Sequence, residues 1–511
     1  MSEKFNVLFI ITDQHRADHM SCSGNRILKT PNLDRLASEG VRFTNAYCNS
    51  PMCMPNRATL LTGLYPNIHG VRSNGINLPE TLPTINQTLI KRGWHTGAIG
   101  KMHLQFWGPP YKISVKSAEK FFDWVADDIK KCPVRENFPI PYYGFQEIET
   151  AIGHGEYLTG HYMNWLEERA PQFIEPMKKR FKKIFNFFLL YHKARLTEDT
   201  CSTAFVKERT INFLEKHSNG DFGEKPFFLH CSFPDPHHPV CPPGKYKDLY
   251  KSEDIQLPES FDNIQNLYNH PFLGPHLITP VFRGAMLRES TEDEVKKFLA
   301  LTYGSIAMID NSIGQILAAL DKLGLDDNTI VIYTSDHGDF CGDHGMLLKG
   351  PAPFNGILQV PLIWKVPGLT KGSISDSLVS SIDIPKTILH LLGIKERFHP
   401  PNMQGCDLTL VLKDTTQKVR DHCLIMEDEE IGPNGPLYCR LRHLITEEYK
   451  LTIYEGVPDY GDLYHRKNDP NELNNLWFNR DYSDVRLKLL HQLYREDLKS
   501  QGRFPKRNAG V

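Results

Sequence analysis

The chain opens without a long apolar run: residues 5–12 are too few for a membrane span or a signal peptide, and no small-residue cleavage site follows them. On that reading a cytoplasmic protein is expected. Net charge is missing as well. The 59 Lys and Arg against 61 Asp and Glu leave −2, which gives no global reason to expect nucleic acid or an anionic membrane as partner, so any anion site must be local. Cys-x-x-Cys pairs are absent. The eleven cysteines (22, 48, 53, 132, 201, 231, 241, 341, 406, 423 and 439) are odd in number and scattered, which argues against a disulfide scaffold or a zinc ladder and for reduced thiols. No internal repeat or low-complexity tract breaks the chain.

What is present suits one large α/β domain, residues 1–395, followed by a smaller one, 396–511, because 511 residues exceed one ordinary core. Residues 5–12 read as a strand buried on both faces, ending at Asp13 and Gln14. Residues 41–46, 95–100, 226–233 and 329–334 read as further strands. The last three end at Lys101 with His103, at Pro236-His237-His238-Pro239, and at Ser335-Asp336-His337. Polar groups just beyond strand ends sit where open α/β sheets collect ligands. Helices are expected over 31–39 with Thr30 as cap, 84–92, 294–324 and 384–392. Residues 105–200, rich in aromatics, read as an insertion over the site. In the smaller domain, 439–445 and 449–454 read as an antiparallel pair and 483–499 as a terminal amphipathic helix.

The chemistry centres on Cys53-Met54-Pro55-Asn56-Arg57, a Cys-x-Pro-x-Arg pattern followed by an apolar run into Thr62-Gly63. If Pro55 starts a helix, Arg57 lies one turn from Cys53, where a guanidinium can hold a nucleophile and an anionic oxygen together. The ordinary alternative is a buried free cysteine ahead of a helix. Asp13, Asp336 and His337 each follow a predicted strand and can converge with Cys53 on one divalent cation. Carboxylates favour Ca²⁺ or Mg²⁺, and the histidine leaves Mn²⁺ open. Lys101 and His103, two apart on an extended segment, are expected to share one face.

In their order, Asp13-Gln14, Cys53-x-Pro-x-Arg57, Lys101-x-His103, His237-His238, Asp336-His337-Gly338 and Lys349 resemble the formylglycine-dependent sulfatases of the alkaline phosphatase-like superfamily. The resemblance implies an α/β fold with a mixed, largely parallel sheet sandwiched by helices and a smaller C-terminal α+β subdomain. It implies that a maturation enzyme oxidises Cys53 to formylglycine (3-oxoalanine), and that sulfate monoesters are hydrolysed through a covalent sulfo-enzyme. One divalent cation, Ca²⁺ ahead of Mn²⁺ or Mg²⁺, would be held by Asp13, Gln14, the oxidised Cys53, Asp336 and His337. Arg57 and Lys101 would stabilise the nucleophile, Lys349 would clamp the sulfate, and His103 would drive release of enzyme-bound sulfate. His237 would assist the leaving alcohol, with His238 as the alternative. Asn74 is either a turn residue or a substrate contact. The substrate would be a small-molecule or saccharide sulfate ester, and a homo-oligomer is allowed.

Two positions depart from the pattern. Many sulfatases carry a second Asp where this chain has Gln14, which bears on the metal. Phosphonate monoester hydrolases share an Asp-Gln pair, yet they resemble Tyr-x-Thr where this chain has Lys101-x-His103, and that pair favours sulfate. Hydrolysis of a phosphonate monoester or phosphodiester is therefore the alternative within the same architecture, and a non-catalytic metal-binding homologue is the alternative outside it.

Overall fold

The computed structural model describes residues 4–108, 115–121, 137–181, 189–278, 287–431 and 437–502. Its first strands are β1 (Asn6–Thr12), β2 (Val41–Tyr47), β3 (His95–Gly100), β4 (Glu147–Thr150), β5 (Ile152–His154), β6 (Tyr157–Thr159) and β7 (Phe227–Ser232). There follow β8 (Leu287–Glu289), β9 (Thr329–Ser335), β10 (Met346–Leu348), β11 (Leu362–Lys365) and β12 (Ser373–Ser380). Eight of these form one sheet in the order β12-β2-β11-β9-β1-β7-β3-β4. All its pairs are parallel except those of β11, which runs against both β9 and β2. The mixed, largely parallel sheet is thus the one that the sequence implied.

The sheet is covered on both faces, which explains why β1 shows no polar alternation. Val7, Phe9 and Ile11 enter one apolar core with α2 (Cys53–Thr62), α3 (Ile85–Lys91) and α6 (Asp383–Leu391). Leu8 and Ile10 enter the other with α1 (Pro31–Glu39), α4 (Ser202–Ser218) and α5 (Glu292–Lys322). Every residue of α2 is buried, so the segment bearing Cys53 lies inside the protein rather than on it. The 105–200 stretch builds part of the sheet as well as lying near the site, since β4 pairs in parallel with β3. Its residues 109–114, 122–136 and 182–188 lie outside the described residues. The ten cysteines among the described residues are all free, and no described helix is long and apolar enough to cross a membrane.

The C-terminal part is larger than one antiparallel pair. β13 (His422–Ile431), β14 (Leu437–Thr446), β15 (Tyr449–Tyr454) and β16 (Gly461–His465) form a four-stranded antiparallel meander. Leu424, Met426, Leu444, Leu451 and Leu463 pack beneath α7 (Ser483–Ser500) with Leu489 and Leu493. Cys423, Ile425, Leu441 and Tyr464 of the opposite face pack with Tyr47, Met52 and Phe354 of the large domain. The acidic run Glu427-Asp428-Glu429-Glu430 hides β13 from a reading by hydrophobicity. Three of its four members find partners: Asp428 meets Arg440 and Arg442 across the strands, Glu429 accepts from the Ser73 hydroxyl, and Glu430 pairs with Arg72. Glu427 is buried with neither carboxyl oxygen hydrogen-bonded, and burial beside the neighbouring acids pushes its pKa well up.

The cap of α1 is not the expected one. Thr30 makes no side-chain capping bond there. Its hydroxyl is engaged by Ser21 N at 2.9 Å, and the N-terminal N–H groups of α1 are met by Asp310 of α5 instead. Asp310 accepts from Asn32 N at 3.1 Å and Leu33 N at 2.8 Å. Asp310→Ala strands these donors inside the protein, so stability is expected to fall by about 1–2 kcal/mol. A lower denaturation midpoint would show this, and an unchanged midpoint would mean that the helix is capped by other groups.

Candidate active site

The site forms where β9, β1, β7 and β3, neighbours in the sheet, end together. Their continuations stay in register beyond the strands. Asp336 N donates to Thr12 O at 3.2 Å, Asp13 N to Asp235 O at 3.3 Å, Phe233 N to Ile11 O at 2.8 Å, and Lys101 N to Ser232 O at 3.0 Å. Asp336 with His337, Asp13 with Gln14, His237 with His238, and Lys101 are thereby delivered to one edge. Gln14 and His103 sit in the left-handed region, at φ 66° and 54°, which non-glycine residues seldom adopt and which is concentrated at functional turns.

Cys53 is the first residue of α2, two residues ahead of the expected start at Pro55. Proline is tolerated within the first turn because N–H groups there have no intrahelical partner. Asn74 supplies the missing cap: its Oδ1 accepts from Met54 N at 3.0 Å. Asn56 ties the helix to the sheet by donating to Asp336 O at 2.6 Å.

Around the Cys53 sulfur lie His337 Nε2 at 3.1 Å, Lys349 Nζ at 3.2 Å and Asp13 Oδ1 at 3.7 Å. Burial and Asp13 push the thiol up, but Lys101, Lys349 and His337 outweigh them and bring it down to about 7. Asp13 is fully buried and pairs with Lys101. Burial alone would raise its pKa, and Lys101 with His237 and His154 instead hold the carboxyl well below the usual range. Asp336 accepts from Arg57 Nε at 2.7 Å, from Gln14 N at 3.1 Å and from its neighbour His337 N at 2.9 Å.

Arg57 therefore reaches the nucleophile's surroundings through Asp336. Its Nη1 donates to Lys101 O and Ser232 Oγ, both at 2.9 Å, while Nη2 is buried without a partner. Gln14 is held on three sides, with its amide nitrogen on Asp339 and 3.2 Å from His238 Nδ1, and its oxygen accepting from Lys349 at 3.1 Å.

A metal ion fits the donor set. One atom each of Asp13, Cys53, Asp336 and His337 lies within 4.8 Å of the others, and all four residues are buried. His337 Nδ1 lies 2.9 Å from Gly338 O, a contact that takes the N–H and leaves Nε2 as the coordinating nitrogen. Lys101, Arg57 and Lys349 already face the three acidic groups, and a hard divalent ion would match the two carboxylates that these cations leave open on one side.

The two histidines after β7 divide. His237 faces the cluster, with Nε2 2.9 Å from Lys349 Nζ, whereas His238 faces Gln14. His103 stacks on Trp107 at 3.7 Å between ring centroids, and Lys101 Nζ lies 5.0 Å from the same indole. The two share a neighbour, but not by strand alternation: β3 ends at Gly100 and the left-handed His103 turns the chain. Burial and the Lys101 charge keep His103 neutral. The turn is held by Glu119, whose carboxylate accepts from His103 N at 2.8 Å, Leu104 N at 2.9 Å and Trp107 Nε1 at 3.0 Å. His230, read from the sequence as a core histidine, packs between Phe9 and Phe145. Sequence reasoning missed His154, Trp107, Glu119 and Asn56. For His154 a signal existed in its place between Gly153 and Gly155.

An open, largely parallel sheet carrying buried acids, two lysines and a cysteine at its carboxyl edge defines a hydrolase of the alkaline phosphatase-like class. Comparison with known proteins agrees. The solved phosphonate monoester hydrolase of Agrobacterium radiobacter superposes with a TM-score of 0.78 at 25% identity, covering 98% of this chain and 97% of its own. Residues 5–394 match the Sulfatase family, and 342–499 match the family described as N-sulphoglucosamine sulphohydrolase, C-terminal. The chain belongs to the sulfatase family and is a sulfuric ester hydrolase. An arylsulfatase of Clostridium perfringens (strain 13 / Type A) is 30% identical over 98% of this chain and 95% of its own length. An N-acetylglucosamine-6-O-sulfatase of Bacteroides thetaiotaomicron is 24% identical over 96% and 85%.

Asp336→Asn removes a charged donor and leaves Arg57 buried opposite a neutral amide. The variant is expected to retain less divalent metal after dialysis, measured by elemental mass spectrometry, and to lose stability on the order of 3 kcal/mol. Wild-type metal content in Asp336→Asn would place Asp336 outside the donor set.

Proposed function

We propose that this chain hydrolyses sulfate monoesters of a small molecule or saccharide with formylglycine, made from Cys53 by a maturation enzyme, as nucleophile and one divalent cation as partner. The observation that carries the reading is the convergence of Asp13, Asp336 and His337 on Cys53 at the start of α2, with Lys349 3.2 Å from its sulfur. The aldehyde hydrate supplies an oxygen nucleophile with a second hydroxyl on the same carbon, and the cation supplies fixed positive charge beside it. Asp13, Asp336 and His337 would hold that cation together with residue 53, and Gln14 would lend an amide oxygen. Ca²⁺ suits the carboxylates best, with Mn²⁺ or Mg²⁺ as alternatives.

The remaining residues bind the transferred group and move protons. Lys349 and Lys101 are preorganised ammonium groups for the sulfate oxygens. Arg57 fixes Asp336 and keeps one N–H pair in reserve. With its Nδ1 on His238 O, His237 takes a proton at Nε2 from the Lys349 ammonium and passes it to the leaving alcohol oxygen, and His103 takes the proton whose loss lets sulfate depart. Asn74 holds α2 through Met54 and borders the substrate's organic part. Phosphonate monoester or phosphodiester hydrolysis is the second reading, favoured by the likeness to the Agrobacterium enzyme and by the Asp-Gln pair. The Lys101 and His103 side chains favour sulfate.

Cys53→Ala is expected to abolish turnover with little loss of stability, while the wild type hydrolyses an aryl sulfate faster than the matching phosphodiester. In the wild type, the Cys53 peptide is expected to have lost one sulfur and two hydrogens and gained one oxygen. Ordinary activity in Cys53→Ala ends the mechanism, and a faster phosphodiester selects the second reading.

Lys101→Ala and His103→Ala should fail differently. Loss of a fixed charge at Lys101 slows the first step by about a hundredfold or more. Loss of the His103 base lets the first alcohol leave and stalls release of sulfate, seen as a burst of alcohol and then near silence. Steady wild-type turnover in His103→Ala would remove this residue from the reaction.

A further inference from the structure

We propose that His154 is a positioning residue of this reaction: it holds the Lys101 ammonium on Asp13 and fixes the ring of His237. This role rests on the sulfatase reading of the site. His154 Nε2 lies 2.9 Å from Lys101 Nζ and 3.2 Å from Asp13 Oδ2. An ammonium has three donors and no acceptor; with the His154 proton on Nδ1, Asp13 takes one donor, His154 Nε2 takes the second, and the third is left for the transferred group. The second contact is made by the face of the ring. His154 stacks on His237 at 3.5 Å between centroids with 5° between planes. His237 Nδ1 lies 2.6 Å from His238 O, and its Nε2 2.9 Å from Lys349 Nζ. Each lysine of the site therefore meets one imidazole of a stacked pair, Lys349 also lying 3.1 Å from His337 Nε2, so displacing either ring disturbs a contact of each ammonium group.

The backbone is built to put the ring there. His154 closes β5 at the tip of the β5–β6 hairpin, between Gly153 (φ 116°) and Gly155 (φ 55°). A Cβ on Gly153 would lie 1.9 Å from Tyr157 O, and one on Gly155 would lie 2.5 Å from Pro239 O. Only glycine permits both approaches. The tip thus rests on the backbone next to His238, and Glu156 anchors it from the other side by accepting from Arg195 N at 2.5 Å and Leu196 N at 2.8 Å. A loop that needed only to cover the site would not require two glycines flanking one histidine at contact distance.

Two substitutions separate the two contacts. His154→Phe keeps a ring to stack but has no acceptor for Lys101, and His154→Gln keeps an acceptor but no ring. Both are measured on an aryl sulfate, a good leaving group, and an alkyl sulfate, a poor one. Inorganic sulfate binding is followed by calorimetry. His154→Phe is expected to lower kcat/KM on both esters by a similar factor, about tenfold to a hundredfold, and to weaken sulfate binding. His154→Gln is expected to lose more on the alkyl than on the aryl ester, because the disturbed His237 matters most when the leaving oxygen needs a proton. Gly155→Val, which lifts the tip from Pro239, should reproduce both losses. Wild-type kinetics and sulfate binding in His154→Phe, or equal losses on the two esters in His154→Gln, overturn the proposal. A wild type that hydrolyses neither ester sinks the sulfatase reading instead, and sulfate binding by His154→Phe then decides alone, unchanged affinity counting against His154.

Discussion

The buried ion pair of Asp13 and Lys101 depends on most of the architecture, and much of the architecture depends on it. Both side chains are fully excluded from solvent, where either charge alone would cost several kcal/mol of desolvation, a large share of a typical domain's stability. The partners come from β1 and β3, which are not adjacent but flank β7. They meet only because the hydrogen-bond ladder continues past the strand ends, through Ser232, Phe233 and Asp235. A slip of one residue in β7 would leave two unpaired charges in the interior. Arg57 and Asp336 repeat the device one layer away, so that register, helix placement and charge pairing enforce one another.

What could be read in the sequence was what the chain states locally. Strands buried on both faces show as unbroken apolar runs, and polar residues directly after them locate the carboxyl edge of a parallel sheet, as with Asp13, Lys101 and Asp336. Contacts made by folding alone were not legible. The cap of α1 comes from Asp310, 278 residues away from Asn32 in sequence, and that of α2 comes from Asn74. Both helices look uncapped or differently capped in a local reading. β13 was hidden because three of its four consecutive acids are met by Arg72, Ser73, Arg440 and Arg442, which a hydrophobicity pattern cannot anticipate. His154 was hidden for the reverse reason: a lone histidine in an aromatic-rich stretch has no periodicity to mark it, and only the glycines beside it betray a close approach.

The C-terminal sheet is tied to the chemistry rather than appended to it. Met426 N donates to Asn49 O at 2.9 Å in the loop that leads into Cys53. Ser73 donates to Glu429 at 2.9 Å, one residue before the Asn74 that caps α2. The start of α2 is thus held by the large domain through Asn56 and by the smaller one through Ser73 and Asn49. A helix whose N-terminus must present one atom to a fixed set of donors gains from support on both sides, since a displacement on the order of 1 Å is enough to cost a hundredfold in rate.

The two lysines also bear on which ester the site suits. Asp13, His154 and His237 would by their donor atoms make a second cation site, but Lys101 and Lys349 place ammonium nitrogens 2.9 Å from the two imidazoles. Positive charge is supplied there by side chains with donors to offer, not by an ion. A sulfate monoester and a phosphodiester carry the same single negative charge, so charge alone does not distinguish them. They differ in the number of unsubstituted oxygens on the central atom, three for sulfate and two for the diester. On the proposed sulfatase reading, three free oxygens would let a sulfate ester meet Lys349, Lys101 and the donor set that would hold the cation, whereas a diester, with two, would leave one of the ammonium groups facing an alkylated oxygen or nothing. A buried ammonium left with an unused donor is costly, and Lys101 is fully buried. On the same reading, the position that separates this chain from the Tyr-x-Thr pattern would be the one at which a third sulfate oxygen finds its partner.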